Sequence, residues 1–153
     1  MQTITVSAVI QRPIDEVFAF VTDARNNLLW QAGSGLKETQ QLPDGPVGVG
    51  TRITEVWSFM GRTTEDVSEV TLYEPNLRYR RSPISNSGPI RGGEYAFEPV
   101  AEGVRWTITV NVQAGGILAI AEPLLVSTTR KGFEQNMAEA KALLERRGAQ
   151  NAY

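Results

Sequence analysis

The sequence predicts an α+β fold in which an antiparallel sheet packs against one long C-terminal helix. Apolar and polar residues alternate along most of the chain up to Val112, as they do in half-buried strands. After Gly115 and Gly116 the apolar residues instead recur at spacings of seven, four, three and four, which defines one face of a helix. A helix with a single apolar face needs a sheet to lie on, so the two patterns describe one domain.

The N-terminal elements are predicted to be a strand and two short helices. Residues 3–10 alternate between apolar and polar side chains, which indicates a half-buried strand. Pro13 is followed by two acidic residues and by apolar residues at helical spacing as far as Val21, which is typical of a short amphipathic helix. The segment 28–30 predicts a second helical turn.

About six further strands are predicted in sequence, because Gly, Pro and Asn residues separate short alternating segments. Consecutive strands joined by tight turns form an antiparallel sheet. The segment 82–93 is rich in Ser, Gly and Pro and is predicted to be a long loop. The predicted strands lie around 36–42, 51–60, 63–74, 77–81, 95–97 and 104–112.

The C-terminal helix is predicted to run from Ile117 to about Arg147, where arginines and a following glycine suit a helix end. Pro123 lies inside this pattern and should either kink the helix or mark where its continuous part begins. We therefore predict one domain over 1–148 and a tail at 149–153. The apolar face of the helix consists of Val126, Phe133, Met137, Ala140 and Leu144.

Composition restricts the chemistry that this chain can perform. The formal net charge of −2 does not indicate nucleic acid or an anionic membrane as a partner. The absence of histidine and cysteine excludes His-based triads, thiol nucleophiles and imidazole or thiolate metal sites. No apolar run approaches the ~20 residues of a membrane span, and the N-terminus lacks the pattern of a signal peptide. We expect a cytoplasmic protein without metal or cofactor, and a homodimer is one of the oligomeric states left open.

Several short motifs follow one another in a characteristic order. They are Pro13 to Phe18 at the first helix, Trp30, Gly48 to Thr51, Gly61, Tyr73 to Pro75, and Lys141 to Glu145. In this order the chain resembles, over nearly its whole length, the START-like superfamily, also called SRPBCC or polyketide cyclase/dehydrase-like. The resemblance implies a helix-grip fold, in which a curved antiparallel sheet of about seven strands surrounds the C-terminal helix and leaves a cavity between them.

The resemblance leaves three functions open. The leading expectation is binding or transport of a hydrophobic or amphipathic small molecule, lipid or polyketide-like, in the cavity. The first alternative is a cofactor-free enzyme of the polyketide cyclase or aromatase type. The second alternative is a chaperone-associated interaction module, which would have a small cavity and a large exposed apolar patch instead.

Large aromatic side chains supply the candidate cavity wall. A plain hydrophobic core would explain each of them singly, but together they exceed what one helix on one sheet needs. Trp and Tyr also suit a binding site, because each offers a large apolar area and one polar group. The predicted ligand contacts are Phe18, Trp30, Trp57, Phe59, Tyr79, Arg81, Tyr95, Phe97, Trp106, Leu125, Thr129 and Phe133.

Two charged residues interrupt apolar strand faces. Glu55 alternates with Ile53 and Trp57, and Arg81 alternates with Tyr79. A buried charge without a partner is costly, so each of these side chains must face solvent, find a partner or line a hydrated pocket. In the last case they project into the cavity and orient a polar group of the ligand. If the protein is an enzyme, Glu55 is the candidate general base and Tyr79 or Tyr95 the candidate acid, since histidine is absent.

Overall fold

A computed structural model describes residues 2–59, 61–86, 88–113 and 121–151, without the side chains of Phe59, Asn86, Gln150 and Asn151. The strands in these residues are β1 (Gln2–Ile10), β2 (Leu36–Leu42), β3 (Arg52–Phe59), β4 (Arg62–Glu74), β5 (Arg78–Asn86), β6 (Ile90–Val100) and β7 (Gly103–Val112). They form one antiparallel sheet in the order β1-β7-β6-β5-β4-β3-β2. The predicted α+β class with about seven strands is confirmed.

The α-helices of the described residues are α1 (Ile14–Thr22), α2 (Asn27–Gln31) and α3 (Glu122–Asn151). The two short helices follow β1, as the sequence predicts. The 30 residues of α3 give it a length of ~45 Å. It packs against β1, α2 and the helical turn that precedes β2. In the described part of the chain, no helix combines the length and the apolar character that crossing a membrane requires.

The C-terminal end of α3 differs from the prediction, whereas the predicted N-terminal end lies outside the described residues. The predicted start at Ile117 falls in the undescribed segment 114–120, and α3 begins at Glu122. Pro123 therefore occupies the first turn, where its missing N–H needs no partner. At the other end the predicted stop after Arg147 is wrong, because the helix continues to Asn151. Gly148 does not cap the helix but leaves room for the Arg12 side chain, because a Cβ at Gly148 would lie 2.6 Å from Nη1 of Arg12.

The predicted loop at 82–93 is also wrong, since most of it belongs to β5 and β6. Pro83 is tolerated because it lies opposite Ser68, next to a register shift between β4 and β5. A second register shift lies between Ile90 and Gly93 of β6. Gly92 sits within it at φ 87°, where a Cβ would lie 2.9 Å from the Arg81 carbonyl oxygen. The two irregularities allow strand pairing to continue through a loop-like composition.

The C-terminal half of α3 closes the hydrophobic core. Met137, Ala140 and Leu144 are buried in one cluster with residues of β1 and β7. The outer edge of β1 is also covered from α3, because Arg130 donates to the Thr5 carbonyl at 3.0 Å and Lys141 donates to the Val9 carbonyl at 2.6 Å. These cationic side chains occupy carbonyls that an edge strand otherwise presents to other chains.

Substitution of Leu144 by alanine tests the role of the C-terminal half of α3. Leu144 is fully buried, so we expect Leu144→Ala to lower the free energy of unfolding by about 2–5 kcal/mol through lost burial and a residual cavity. Leu124 lies on the same helix but is 62% exposed, so Leu124→Ala should change the free energy of unfolding by less than about 0.5 kcal/mol. Equal effects in urea denaturation would contradict this assignment of the core.

Candidate functional site

A cavity of about 430 Å³ lies between α3 and the sheet, and we call it the outer chamber. Its helical wall runs from Thr128 to Asn136 and includes Thr129 and Phe133. Trp57 of β3 and Ile90 of β6 contribute apolar surface from the sheet. The predicted ligand contacts on this helix were Leu125, Thr129 and Phe133, which begin slightly earlier in the chain. The observed wall is shifted by about one turn toward the C-terminus.

A second cavity of about 90 Å³ lies closer to the core, and we call it the inner chamber. The two chambers adjoin, because four side chains line both of them: Trp57, Asp66, Ile90 and Phe133. The inner chamber is lined in addition by the two charged residues that the sequence singled out and by two tyrosines. The site therefore has a larger, mainly apolar part and a smaller polar end.

Glu55 and Arg81 both point inward and form a buried ion pair beside the inner chamber. Glu55 is 5% exposed, and Arg81 Nη2 lies 2.6 Å from Glu55 Oε1. Glu55 is on β3 and Arg81 on β5, so the guanidinium crosses the intervening β4, where its Nε donates to Ser68 Oγ at 2.8 Å. Asn27 of α2 donates to the second carboxylate oxygen at 3.2 Å. The alternative that these charges face solvent is excluded.

The charges around Arg81 favour its protonated form. Burial by itself lowers the pKa of the guanidinium, but the carboxylate of Glu55 and the neighbouring Tyr79 raise it, and the net pKa lies above its usual value. The guanidinium is therefore charged at any physiological pH. Together, Arg81 and Glu55 place a polar but internally compensated group at the end of the inner chamber.

Tyr79 and Tyr95 complete the polar end. Burial raises the pKa of the Tyr79 hydroxyl to about 12, and burial also raises the pKa of Tyr95. The positive charge of Arg81 lowers both values but offsets the effect of burial only in part. Both hydroxyls consequently remain protonated near neutral pH. They can donate a hydrogen bond to a ligand, whereas proton transfer from them is unfavourable.

The aromatic side chains behind the inner chamber form a continuous cluster. Ring centroids are 5.3 Å apart for Tyr79 and Tyr95, 5.6 Å for Tyr95 and Trp106, and 5.4 Å for Trp106 and Trp30. Tyr73 joins the cluster through its edge-on contact with Tyr79, and Phe18 joins it through an edge-on contact with Tyr73. Such tilted and edge-on contacts favour particular ring orientations, so the inner chamber is backed by well-packed aromatic rings.

The predicted ligand contacts divide into three groups. Those that line a chamber are Trp57, Tyr79, Arg81, Tyr95, Thr129 and Phe133. Those that line neither chamber are buried in the core, and of these Trp30 also borders a separate recess: Phe18, Trp30, Phe97, Trp106 and Leu125. Sequence periodicity identifies inward-facing residues but does not tell a cavity wall from the packing behind it. The side chain of Phe59 lies outside the described residues.

Sequence reasoning missed several polar residues at the site. Ser68 and Asn27 hold the ion pair, yet neither stands out in its segment. Asp66 lines both chambers and accepts a hydrogen bond from the Gly88 backbone at 3.3 Å. Asn136 differs from these residues, because its helical spacing from Phe133 already indicates that it borders the inward face, although it is not among the predicted ligand contacts. In the described part of the chain, no cluster of three or more acidic residues could hold a metal ion.

The open antiparallel sheet, the two short helices after β1 and the long C-terminal helix with a cavity beneath it define the START-like helix-grip class. Within that class, the chain belongs to the family described as "Polyketide cyclase / dehydrase and lipid transport", which matches residues 1–145. The resemblance found in the sequence motifs is thereby confirmed. No curated protein matches the chain significantly in sequence.

Solved structures share this fold at low sequence identity. A protein from Thermus thermophilus is 17% identical with a TM-score of 0.80, and the match covers 95% of this chain and 98% of that one. The Zhui aromatase/cyclase from a Streptomyces species is 13% identical with a TM-score of 0.75, covering 95% and 94%. A START superfamily protein from Mycobacterium smegmatis is 10% identical with a TM-score of 0.74, covering 94% and 97%. These likenesses show the fold alone.

A double-mutant cycle tests the buried ion pair. Arg81→Met leaves the Glu55 carboxylate buried and uncompensated, so we expect it to lower the free energy of unfolding by about 3–5 kcal/mol. Adding Glu55→Gln should recover part of that loss, because the uncompensated charge is removed. The Arg78–Glu74 pair is a matched control with side chains 47% and 37% exposed, and its coupling should be about 0–1 kcal/mol. Similar coupling energies for the two pairs would refute a buried interaction.

Proposed function

We propose that this protein binds an amphipathic small molecule, with the apolar part in the outer chamber and a polar end in the inner chamber. The observation that carries the proposal is the pair of adjoining cavities, one with apolar walls from Trp57, Ile90 and Phe133, the other ending at the Glu55–Arg81 pair. Binding sites of small molecules have this composition, a mainly apolar wall with a few oriented polar groups.

The inner chamber is suited to an uncharged oxygen. Glu55 compensates the charge of Arg81, so the chamber offers hydrogen-bond donors without a net positive charge. Arg81 uses Nη2 and Nε for Glu55 and Ser68, and its Nη1 has no partner among the described residues. With the protonated hydroxyls of Tyr79 and Tyr95, this nitrogen can donate to a carbonyl or hydroxyl oxygen. A ligand carboxylate would compete with Glu55 and is disfavoured.

The outer chamber supplies the driving force for binding. Apolar ligand surface removed from water contributes about 25 cal/mol per Å² before the loss of ligand freedom is subtracted. The volume of about 430 Å³ suits a small ring system or a short chain. It gives no support to the chaperone-associated module, for which a small cavity is expected. The family description, which couples polyketide chemistry with lipid transport, agrees with an apolar ligand.

A polyketide cyclase-type reaction is the second candidate function. It is favoured by the carboxylate of Glu55 beside the inner chamber and by the shared fold with an aromatase/cyclase. Binding is better supported, because both oxygens of Glu55 are engaged and the pKa of Tyr79, about 12, is far from that of an effective acid at neutral pH. The test is a linear poly-β-carbonyl compound incubated with wild type and with Glu55→Gln. Conversion by wild type, together with binding but no conversion by Glu55→Gln, would favour the enzyme.

Blocking the outer chamber tests the proposed function. Thr129 is 8% exposed and lines the chamber, so Thr129→Trp should fill it. We expect the affinity for naphthol, measured by titration calorimetry, to fall about tenfold or more, because losing ~60 Å² of apolar contact removes about 1.4 kcal/mol.

The matched control is Ser127→Trp, which adds the same side chain at an exposed position of α3 that does not line the chamber. It should leave naphthol affinity unchanged. If wild type does not bind naphthol or related amphipathic ring compounds, or if both tryptophan variants bind them as wild type does, the proposed site is wrong.

A further inference from the structure

The outer chamber contains a polar side chain that the fold does not satisfy. Asn136 is 3% exposed, and its Oδ1 has no hydrogen-bond partner among the described residues. Thr129, Phe133 and Asn136 are spaced by four and three residues and line the same wall of the chamber. The side chain that carries the unsatisfied atom therefore belongs to the wall that α3 contributes to the chamber.

An asparagine at this position is unfavourable unless something binds it. A buried acceptor without a partner loses the hydrogen bonds that water gives it in the unfolded chain. A leucine of similar size would fill the same place without that loss, and the positions that follow on this face, Met137, Ala140 and Leu144, are apolar. The amide thus occupies a position where packing alone favours a hydrocarbon.

The amide can reach a ligand by a small movement. The χ2 torsion of asparagine has a broad energy minimum, so rotation about it turns either Oδ1 or Nδ2 toward the chamber. A hydroxyl group is the best complement to both orientations, because it donates to the carbonyl oxygen and accepts from the amide nitrogen. A hydrocarbon chain satisfies neither.

A water molecule is the competing partner. Asn136 also borders a recess of about 190 Å³ on its other side, lined by Trp30 among others. The Nε1 of Trp30 likewise has no hydrogen-bond partner among the described residues. A water in the recess that accepts from Trp30 and donates to Asn136 would satisfy both atoms without any ligand.

We propose that Asn136 is a second polar anchor and that the natural ligand carries a hydroxyl group away from the end held at Arg81. This inference rests on the proposed binding function and narrows it to a class of ligand. A compound with oxygens at two separated positions on an apolar framework fits the site, whereas a simple acyl chain with one polar end leaves Asn136 unsatisfied. Asn136 then selects among apolar compounds of similar size.

A pair of ring compounds measures this selection. Naphthol has one hydroxyl, and a naphthalenediol with one hydroxyl on each ring has a second at the far end. We expect wild type to bind the diol about fivefold more tightly than naphthol in titration calorimetry, which is the contribution of one hydrogen bond of average net strength. In Asn136→Leu this preference should disappear, while naphthol binds at least as well as to wild type. A naphthalenediol with both hydroxyls on one ring should bind no more tightly than naphthol to either protein.

Gln40→Leu is the control, since it removes an exposed amide that lines neither chamber nor the recess and should keep the fivefold preference. The melting temperature of ligand-free Asn136→Leu should be equal to or above that of wild type. A lower melting temperature of Asn136→Leu, or an equal loss of affinity for naphthol and for the diol, would show that Asn136 hydrogen-bonds a water in the recess. Either result would overturn the inference. An unchanged preference in Asn136→Leu would overturn it too. If wild type binds neither compound, the proposed function fails as well.

Discussion

The buried ion pair between Glu55 and Arg81 is the constraint on which the rest of the site depends. The attraction between two buried charges offsets their loss of hydration only when the geometry is good and further hydrogen bonds satisfy both groups. Here Ser68 of β4 and Asn27 of α2 supply those bonds. The same four side chains therefore require a particular register of three neighbouring strands and a particular position of α2. A shift of one residue in β3 or β5 would move a charge to the opposite face of the sheet, and a shift in β4 would move the Ser68 hydroxyl away from Arg81.

This constraint also explains why a cavity remains next to a well-packed core. Apolar side chains that closed over the pair would cover the unused donors of Arg81 and the hydroxyls of Tyr79 and Tyr95, at the cost of unsatisfied polar groups. The aromatic cluster behind them is held by close ring contacts and cannot move forward to fill the space. The helix α3 accordingly has two functional parts: the segment from Thr128 to Asn136 borders the chambers, and the segment from Met137 onward packs against the sheet.

Much of the fold follows from the sequence, because strand alternation and helical spacing are local patterns that survive in the structure. The composition of 82–93 was misleading, since pairing with β4 and a bulge at Gly92 override a local preference for a loop. Alternation placed Glu55 and Arg81 on the faces of their neighbours, but it does not show whether a face is covered. The role of Asn136 was not predictable, because a missing hydrogen-bond partner is a property of the three-dimensional surroundings.

The central claim is that an amphipathic ligand lies between α3 and the sheet, with its ring against Phe133 and Trp57. Nuclear Overhauser effects between bound naphthol and the assigned protein protons test it most directly, because they report which side chains lie within a few ångströms of the ligand. The account predicts contacts to Phe133 and Trp57. Contacts confined to exposed apolar side chains such as Leu29 and Leu77, which are 53% and 51% exposed, would contradict it.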